Sequence, residues 1–138
     1  MIRRATYRDV DSINEIGKEL HDNFAYLFKM ENVVNTSYSR VYLYEENNKV
    51  LGFIHVDSHF EIMDLINIVV LKEYQNKGIG SKLLEFVVDN ESYDKIMLEV
   101  RETNLNAIHL YEKYNFKEIY RRKKYYGDCD AVIMERMK

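Results

Sequence analysis

Residues 67–81 of the 138-residue chain read NIVVLKEYQNKGIGS, an apolar run followed by a turn with two glycines. Gly78 and Gly80 let the backbone turn tightly and bring successive N–H groups close together. A helix starting here adds its positive dipole end, which favours a bound anion such as a phosphate. A glycine-capped turn that binds no ligand explains the same residues equally well.

Two nucleotide-binding patterns are excluded at this turn. Leu83 occupies the position of the third glycine in the dinucleotide-binding fingerprint, so that fingerprint is incomplete. The chain also has no G-x-x-x-x-G-K-[ST] sequence, which excludes the phosphate loop of nucleoside triphosphatases.

The residues on either side of the turn predict a strand and a helix. Residues 61–71 predict the strand, and its apolar end is typical of a strand covered on both faces. The helix that follows is amphipathic, and its apolar face is predicted at Gly80, Leu84, Val87 and Val88.

The first forty residues predict one strand and one clear helix. Residues 2–5 predict the strand, and Thr6 and Asp9 have the spacing of a capping box that starts a helix. Residues 21–40 lose the periodicity, which indicates an irregular helix and loop. The helix face expected to pack on a sheet comprises Val10, Ile13, Gly17, Leu20 and Phe24.

Further strands lie on both sides of the central stretch. Residues 41–45 and 50–58 predict a hairpin joined by the polar residues 46–49. Residues 95–100 alternate strictly, with Ile96, Leu98 and Val100 on one side and Lys95, Met97 and Glu99 on the other.

The C-terminal part completes the element order. Residues 104–114 predict a helix, and residues 116–121 and 131–137 predict two closing strands. This order predicts an α+β protein with a mixed, mostly antiparallel sheet, folded as one domain over residues 1–138.

Composition excludes several classes of protein. With 46% hydrophobic and 31% charged residues the chain is globular, and its net charge of −3 argues against a nucleic-acid coat. Cys129 is the one cysteine, so the chain has no internal disulfide and no thiolate zinc site. No apolar run approaches the roughly 20 residues of a membrane helix, and no signal peptide is evident. We therefore expect a soluble, cytoplasmic protein without nucleic-acid or membrane partners.

Two polar clusters have more than one interpretation. His55, Asp57 and His59 share one face of a strand, as metal ligands can, but no fourth ligand is evident and exposed alternation explains them. We expect no metal. The basic run at residues 121–124, flanked by tyrosines, could bind nucleic acid, although the acidic chain favours a charged hairpin.

Glu99 and Tyr111 are the candidate catalytic residues. Strand propensity disfavours a glutamate within a strand, although a solvent-facing position would explain Glu99. Tyr111 lies on the apolar face of its helix, where an aromatic core residue is the ordinary interpretation.

From about Asn67 onward the chain resembles the GNAT N-acetyltransferase superfamily, and most closely its ribosomal-protein N-terminal alanine acetyltransferase (RimI-type) branch. Four blocks carry the resemblance in the expected order: residues 67–70, 75–80, 98–116 and 125–134. The resemblance implies a single GNAT domain over residues 1–138, with a splayed strand pair and helices on both faces of the sheet.

The same resemblance implies acetyl-CoA as co-substrate, and no metal. The strand backbone at Ile68, Val69 and Val70 would hold the pantetheine and thioester, and the Asn104 side chain would add a contact. The pyrophosphate would be bound through the backbone of Asn76, Lys77, Gly78, Ile79, Gly80 and Ser81.

The implied reaction is direct attack of a primary amine on the thioester. Glu99 would be the general base, because a protonated amine has no lone pair with which to attack. Tyr111 would be the general acid for the leaving thiolate, and a strand N–H near Val69 or Val70 would stabilise the oxyanion.

The acceptor stays open between a protein N-terminal α-amine, which the resemblance favours, and a small-molecule amine such as a polyamine or amino sugar. A non-catalytic module that senses acyl-CoA is the alternative from a different class. The tyrosines at Tyr120, Tyr125 and Tyr126 could shape an acceptor slot or an interface, so a monomer and a homodimer are both compatible with the sequence.

Overall fold

The computed structural model describes residues 1–138 as a mixed sheet of seven strands with five α-helices, which confirms the predicted α+β class. The strands are β1 (Ile2–Arg4), β2 (Ser39–Glu46), β3 (Lys49–His59), β4 (Ile62–Val70), β5 (Lys95–Arg101), β6 (Lys117–Arg122) and β7 (Ala131–Met137). The helices are α1 (Val10–Gly17), α2 (Phe24–Phe28), α3 (Met30–Val33), α4 (Ile79–Asn90) and α5 (Leu105–Lys113).

The strands are hydrogen-bonded in the order β1-β2-β3-β4-β5-β7-β6. The pairs β1–β2, β2–β3, β5–β7 and β6–β7 are antiparallel, and β4–β5 is parallel, so the sheet is mostly antiparallel as predicted. The parallel ladder joins Ile62–Asp64 to Lys95–Met97. The splaying of this strand pair that the resemblance implies stays a prediction.

The chain forms two compact units, each made of two chain segments. Residues 1–57 and 66–91 form the first unit, and residues 58–65 and 92–138 form the second. The prediction of a single domain over residues 1–138 stays a prediction. None of the helices is both long enough and apolar enough to cross a membrane.

Helices cover both faces of the sheet in the first unit. Val41 and Leu43 of β2 pack in one core with residues of α1, α2 and α3, among them Ile13, Phe24 and Met30. The intervening residues of β2 point to the other face, where the Tyr42 ring lies 4.9 Å from the Phe86 ring of α4. The predicted placement of helices on both faces is therefore confirmed in this unit.

The end of α4 is fixed to β2 by a partly buried ion pair. Glu91 accepts hydrogen bonds from Arg40 Nε at 2.6 Å and from the Tyr42 hydroxyl at 2.7 Å. Burial alone would raise the pKa of Glu91, but these two hydrogen bonds and the positive charges of Arg40 and Arg4 together hold the pKa below its ordinary value. The carboxylate thus anchors the helix that begins at the glycine turn.

The capping box forms, but the first helix is shorter than predicted. Thr6 N–H donates to Asp9 Oδ2 at 2.8 Å, and Arg8 N–H donates to Thr6 Oγ1 at 3.3 Å. The helical face was expected to continue through Leu20, yet α1 ends at Gly17 and Leu20 is 49% exposed. Phe24, the last residue of that predicted face, belongs instead to α2 and is fully buried.

Two predicted burial patterns also need correction. The strand β4 is not covered on both faces: Met63, Leu65 and Val69 are buried, whereas Ile66 is exposed. On α4 the buried face comprises Ile79, Leu83, Leu84 and Val87, so Gly80 and Val88 lie at its margin rather than on it. The helix begins at Ile79, one residue before the first position of the predicted face, and packs through larger side chains.

The second unit confirms the predicted alternation of β5. Ile96, Leu98 and Val100 are buried, while Lys95 and Met97 are partly exposed and Glu99 is exposed. The strand lies in an antiparallel ladder with β7 that runs from Lys95–Met137 to Arg101–Ala131. Glu99 therefore projects from the less buried face of this ladder.

We expect Gly17→Ala to destabilise the protein by about 1–3 kcal/mol, because overpacking a filled core has that cost. A Cβ at Gly17 would lie 2.3 Å from Cγ and Cδ2 of the buried Phe24 ring. Urea unfolding of Gly17→Ala, with exposed Ser12→Ala of the same helix as control, measures the effect. Equal stability of the two variants would contradict this packing.

Candidate active site

The turn before α4 bends at Gly78 as predicted, whereas Gly80, the other glycine expected to shape the turn, lies inside α4. Asn76 and Gly78 both lie in the left-handed region, at φ 62° and 87°. A Cβ at Gly78 would meet no atom within 4 Å, so the backbone conformation rather than crowding favours glycine there. The turn is exposed at Asn76, Lys77 and Gly78.

The start of α4 carries backbone N–H groups that make no hydrogen bond within the helix. Gly78 is the N-cap, and the first helical hydrogen bond runs from Lys82 N–H to the Gly78 carbonyl at 3.0 Å. The N–H groups of Ile79, Gly80 and Ser81 therefore have no partner within the helix. Three such donors at the positive end of a helix dipole fit a phosphate group.

Lysines add positive charge beside the same turn. Two ammonium groups lie near the Tyr74 ring, with Lys49 Nζ at 5.2 Å and Lys77 Nζ at 5.4 Å from its centroid. Cation–π contacts of this kind hold long lysine side chains near one position. The donor set and the charge at this end of α4 both favour an anionic ligand.

Hydrogen bonds hold the loop that follows β4 against the end of that strand and against neighbouring residues. Gln75 Nε2 donates to the Val70 carbonyl at 3.0 Å, and Leu71 N–H donates to the Leu51 carbonyl of β3 at 2.9 Å. Lys72 N–H also donates to a carboxylate oxygen of Glu19. These bonds fix the strand end and the glycine turn in one arrangement.

Gly52 of β3 permits a close approach that the sequence analysis missed. A Cβ at this position would lie 2.9 Å from the Val69 carbonyl oxygen, 3.2 Å from Val70 Cγ2 and 3.4 Å from Ile79 Cγ2. The glycine thus lets β3 lie against both the end of β4 and the start of α4. An isolated glycine inside a strand pattern is the signal that could have found it.

The predicted thioester-binding residues occupy the last part of β4. Val69 is buried, and Ile68 and Val70 are partly buried. The preceding Asn67 has a buried side-chain amide nitrogen without a hydrogen-bond partner. An orphaned buried donor is uncommon in folded proteins, and it marks this strand end as a polar position inside an apolar run.

Glu99 holds a carboxylate at the surface of the second unit. Its side chain is 32% exposed and its Oε2 accepts a hydrogen bond from the Tyr126 hydroxyl at 3.0 Å. Arg122 Nη1 lies 3.9 Å from the other oxygen, Oε1. A partly solvated carboxylate with one oxygen fixed has a suitable arrangement for taking a proton.

Tyr111 is more deeply buried than Glu99. It is 8% exposed, its ring centroid lies 5.7 Å from that of Phe116, and burial raises the pKa of its phenol to about 12. The hydroxyl is therefore protonated at neutral pH. Packing against Phe116 and a catalytic role are compatible.

Asn104 has a structural role that the sequence analysis did not assign. It is the N-cap of α5, and its Oδ1 accepts a hydrogen bond from Ala107 N–H at 3.3 Å. Such a cap stabilises a helix by about 1 kcal/mol. The predicted contact of Asn104 with acetyl-CoA stays a prediction. Because Oδ1 caps the helix, the side-chain nitrogen would make that contact.

The other polar residues singled out in the sequence have local partners. The exposed alternation expected for His55, Asp57 and His59 is wrong at His55, which is buried. Its Nε2 lies 2.9 Å from Asp57 Oδ1, and burial lowers the pKa of its imidazole. His59 Nε2 lies 3.5 Å from Asp64 Oδ2. Cys129 is buried, with Arg101 Nη1 3.8 Å from its Sγ.

The site residues predicted from the sequence thus fall into two groups. The first unit brings together Ile68, Val69 and Val70 of β4 with the turn at residues 76–81. The second unit holds Glu99, Asn104 and Tyr111. Sequence reasoning missed Gly52 in the first unit and the hydrogen bond of Tyr126 to Glu99 in the second.

Comparison with known proteins gives a consistent result. The acetyltransferase (GNAT) domain family matches residues 37–118. An N-alpha-acetyltransferase of Sulfolobus acidocaldarius is 31% identical, over 96% of this chain and 89% of its own. The crystal structure of the ribosomal-protein-S18-alanine N-acetyltransferase from Escherichia coli superposes with a TM-score of 0.86 at 28% identity, over 99% of this chain and 92% of that one.

A second solved structure is similar in fold. The PaiA N-acetyltransferase from Thermoplasma acidophilum, solved in complex with coenzyme A, has a TM-score of 0.85 at 18% identity. The superposition covers 100% of this chain and 98% of that one.

We expect Gly52→Ala to lower the free energy of unfolding by about 1–3 kcal/mol, because the added methyl group would press on the Val69 carbonyl. Urea unfolding measures the loss. A midpoint equal to that of the unsubstituted protein would show that the strands do not approach as closely as described.

Proposed function

The chain belongs to the GNAT acetyltransferase family, and from this we propose that it transfers acetyl from acetyl-CoA to the α-amine of a protein N-terminus. The choice of acceptor rests on one observation: an N-alpha-acetyltransferase of Sulfolobus acidocaldarius aligns with 96% of the chain. The structural similarity to a ribosomal-protein-S18-alanine N-acetyltransferase supports the same class of acceptor.

In this proposal the first unit binds acetyl-CoA. The unpaired N–H groups of Ile79, Gly80 and Ser81 bind the diphosphate, and the left-handed residues Asn76 and Gly78 present them. Lys77 contributes positive charge, and the backbone of Ile68, Val69 and Val70 binds the pantetheine and thioester. A strand N–H at Val69 or Val70 donates to the carbonyl oxygen as negative charge develops on it.

Glu99 is the proposed general base. An α-amine with a pKa of about 7.7–8.0 is mostly protonated at neutral pH, and the ammonium form cannot attack. Transfer of one proton to Glu99, directly or through water, frees the lone pair. The amine nitrogen then forms a bond to the acetyl carbon and loses its second proton to water, the carbon–sulfur bond breaks, and the electron pair leaves with the sulfur.

Tyr111 is the proposed general acid for that sulfur. Because burial raises the pKa of its phenol to about 12, the hydroxyl carries its proton whenever the enzyme is active. A thiol is a stronger acid than this phenol, so the hydroxyl acts first as a hydrogen-bond donor that stabilises the developing thiolate. A proton that passes to sulfur is then replaced from water.

The choice of acceptor is tested by thiol release from acetyl-CoA. A peptide with a free N-terminal alanine is compared with the same peptide blocked at its N-terminus but carrying lysine, with a polyamine and with an aminoglycoside. The proposal predicts turnover on the free N-terminus alone. Turnover confined to the small amines, or tight acetyl-CoA binding without turnover on any amine, would overturn it.

We expect Tyr111→Phe to lower kcat by about 10²-fold, the lower end of the range for loss of a general acid. The affinity for acetyl-CoA, measured by calorimetry, is expected to change less than about twofold, since the phenyl ring still packs on Phe116. Tyr7→Phe, at a tyrosine that is exposed and lies outside the proposed site, is the control. Unchanged kcat at saturating substrates would remove Tyr111 from the mechanism.

Glu99→Gln is expected to lower kcat by about 10²-fold or more, since an amide cannot take the proton of the amine. Glu112→Gln, an exposed glutamate of α5, controls for the change of charge. The pH–rate profile of Glu99→Gln should fall most steeply towards low pH, where the acceptor amine is most protonated. A profile superimposable on that of the unsubstituted enzyme would exclude Glu99 as the base.

A further inference from the structure

The Glu99 carboxylate lies at the surface, and yet a hydrogen bond from a distant residue fixes its orientation. It projects from the less buried face of β5, where three side-chain torsions are free to rotate in water. Its Oε2 nevertheless accepts a hydrogen bond of 3.0 Å from the Tyr126 hydroxyl, 27 positions further along the chain. This donor holds the carboxylate in one orientation.

Two neighbouring side chains contact the Tyr126 ring. The guanidinium carbon of Arg101 lies 4.1 Å from the centroid of the Tyr126 ring, a close cation–π contact, and the Tyr125 ring meets it edge-on at 5.3 Å. Arg101 is two positions after Glu99 on β5, so one strand supplies both the carboxylate and the group that holds its donor.

The loop that carries Tyr126 is fixed at both ends. Asp130 Oδ1 accepts from Lys124 N–H at 2.9 Å, and Asp130 N–H donates to Glu102 Oε1 at 3.1 Å. Tyr126 N–H donates to the Cys129 carbonyl at 3.2 Å, which closes the loop on itself. The loop that brings the Tyr126 hydroxyl to Glu99 is therefore itself held by hydrogen bonds.

We propose that Tyr126 is a positioning residue for the general base: its hydroxyl fixes Glu99 through Oε2, Arg101 holds its ring, and Oε1 is directed to the acceptor amine. This inference rests on the proposed function, because it needs Glu99 to be the base. It assigns to Tyr126 a role beyond shaping an acceptor slot.

The two carboxylate oxygens of Glu99 have different neighbours and, in this proposal, different roles. Oε2 is occupied by the phenol, whereas Oε1 has Arg122 Nη1 at 3.9 Å, beyond hydrogen-bond distance. Oε1 is thus the oxygen that can accept a proton without losing an existing hydrogen bond. Burial, and next the hydrogen bond to Glu99, raise the pKa of the Tyr126 phenol to about 12, so it remains a donor at neutral pH.

The test is a double-mutant cycle with Tyr126→Phe, Glu99→Gln and the double variant, assayed on acetyl-CoA and a peptide with an N-terminal alanine. Tyr7→Phe is the matched control, because Tyr7 is a tyrosine 68% exposed that takes no part in the proposed site. Since small misplacements of a catalytic group cost up to about 10²-fold, we expect Tyr126→Phe to lower kcat by about tenfold. Its KM for acetyl-CoA and its unfolding midpoint should match those of Tyr7→Phe.

The cycle separates positioning from mere packing. If Tyr126 acts through Glu99, adding Tyr126→Phe to Glu99→Gln produces no further loss of kcat. Independent losses that multiply in the double variant would overturn the proposal. Equal kcat values for Tyr126→Phe and Tyr7→Phe, while Glu99→Gln remains slow, would also overturn it. Full activity of Glu99→Gln would instead reject the proposed base, and the role of Tyr126 with it.

Arg101→Met provides an independent check on the same chain of contacts. It removes the guanidinium that lies over the Tyr126 ring while keeping an unbranched side chain. A loss of kcat that disappears in the Tyr126→Phe background supports the proposal. A loss that persists in that background would show that Arg101 acts elsewhere, which contradicts the assigned role.

Discussion

Three backbone N–H groups at the start of α4 have no partner inside the helix, and the proposed function depends on them. The left-handed conformation of Asn76 and Gly78 turns the chain abruptly into the helix immediately before these groups. Backbone donors of this kind bind a diphosphate without any particular side chain. Family membership gives this general arrangement a specific ligand, acetyl-CoA, in the proposal.

The surroundings of these donors explain why they can keep a fixed position. The far end of α4 is anchored by Glu91 to Arg40 and Tyr42, and its near end lies against Gly52 of β3. The Gln75 side chain donates a hydrogen bond of 3.0 Å to the Val70 carbonyl, which links the turn to the strand. A preorganised anion site of this type does not need to be reordered when its ligand binds.

Local patterns in the sequence predicted much of the fold and only part of the candidate site. The alternation of β5 and the capping box of Thr6 and Asp9 depend on neighbouring residues, and both were predicted correctly. The end of α1 was not predicted correctly, because Gly17 accommodates the ring of Phe24, a contact that helical periodicity does not encode. The same limit applies to the Tyr126–Glu99 hydrogen bond, which joins residues from distant strand and loop positions. Such contacts require the fold to be known first.

The most direct test of the account compares acetyl-CoA with acetyl-pantetheine, which carries the same thioester but lacks the diphosphate. Isothermal titration calorimetry of the purified protein measures both affinities under one set of conditions. The account predicts that acetyl-CoA binds and that removal of the diphosphate weakens binding by at least about 10²-fold, or roughly 2.7 kcal/mol. Equal affinity for the two compounds, or no binding of acetyl-CoA, would contradict the assignment of the α4 donors as the diphosphate site.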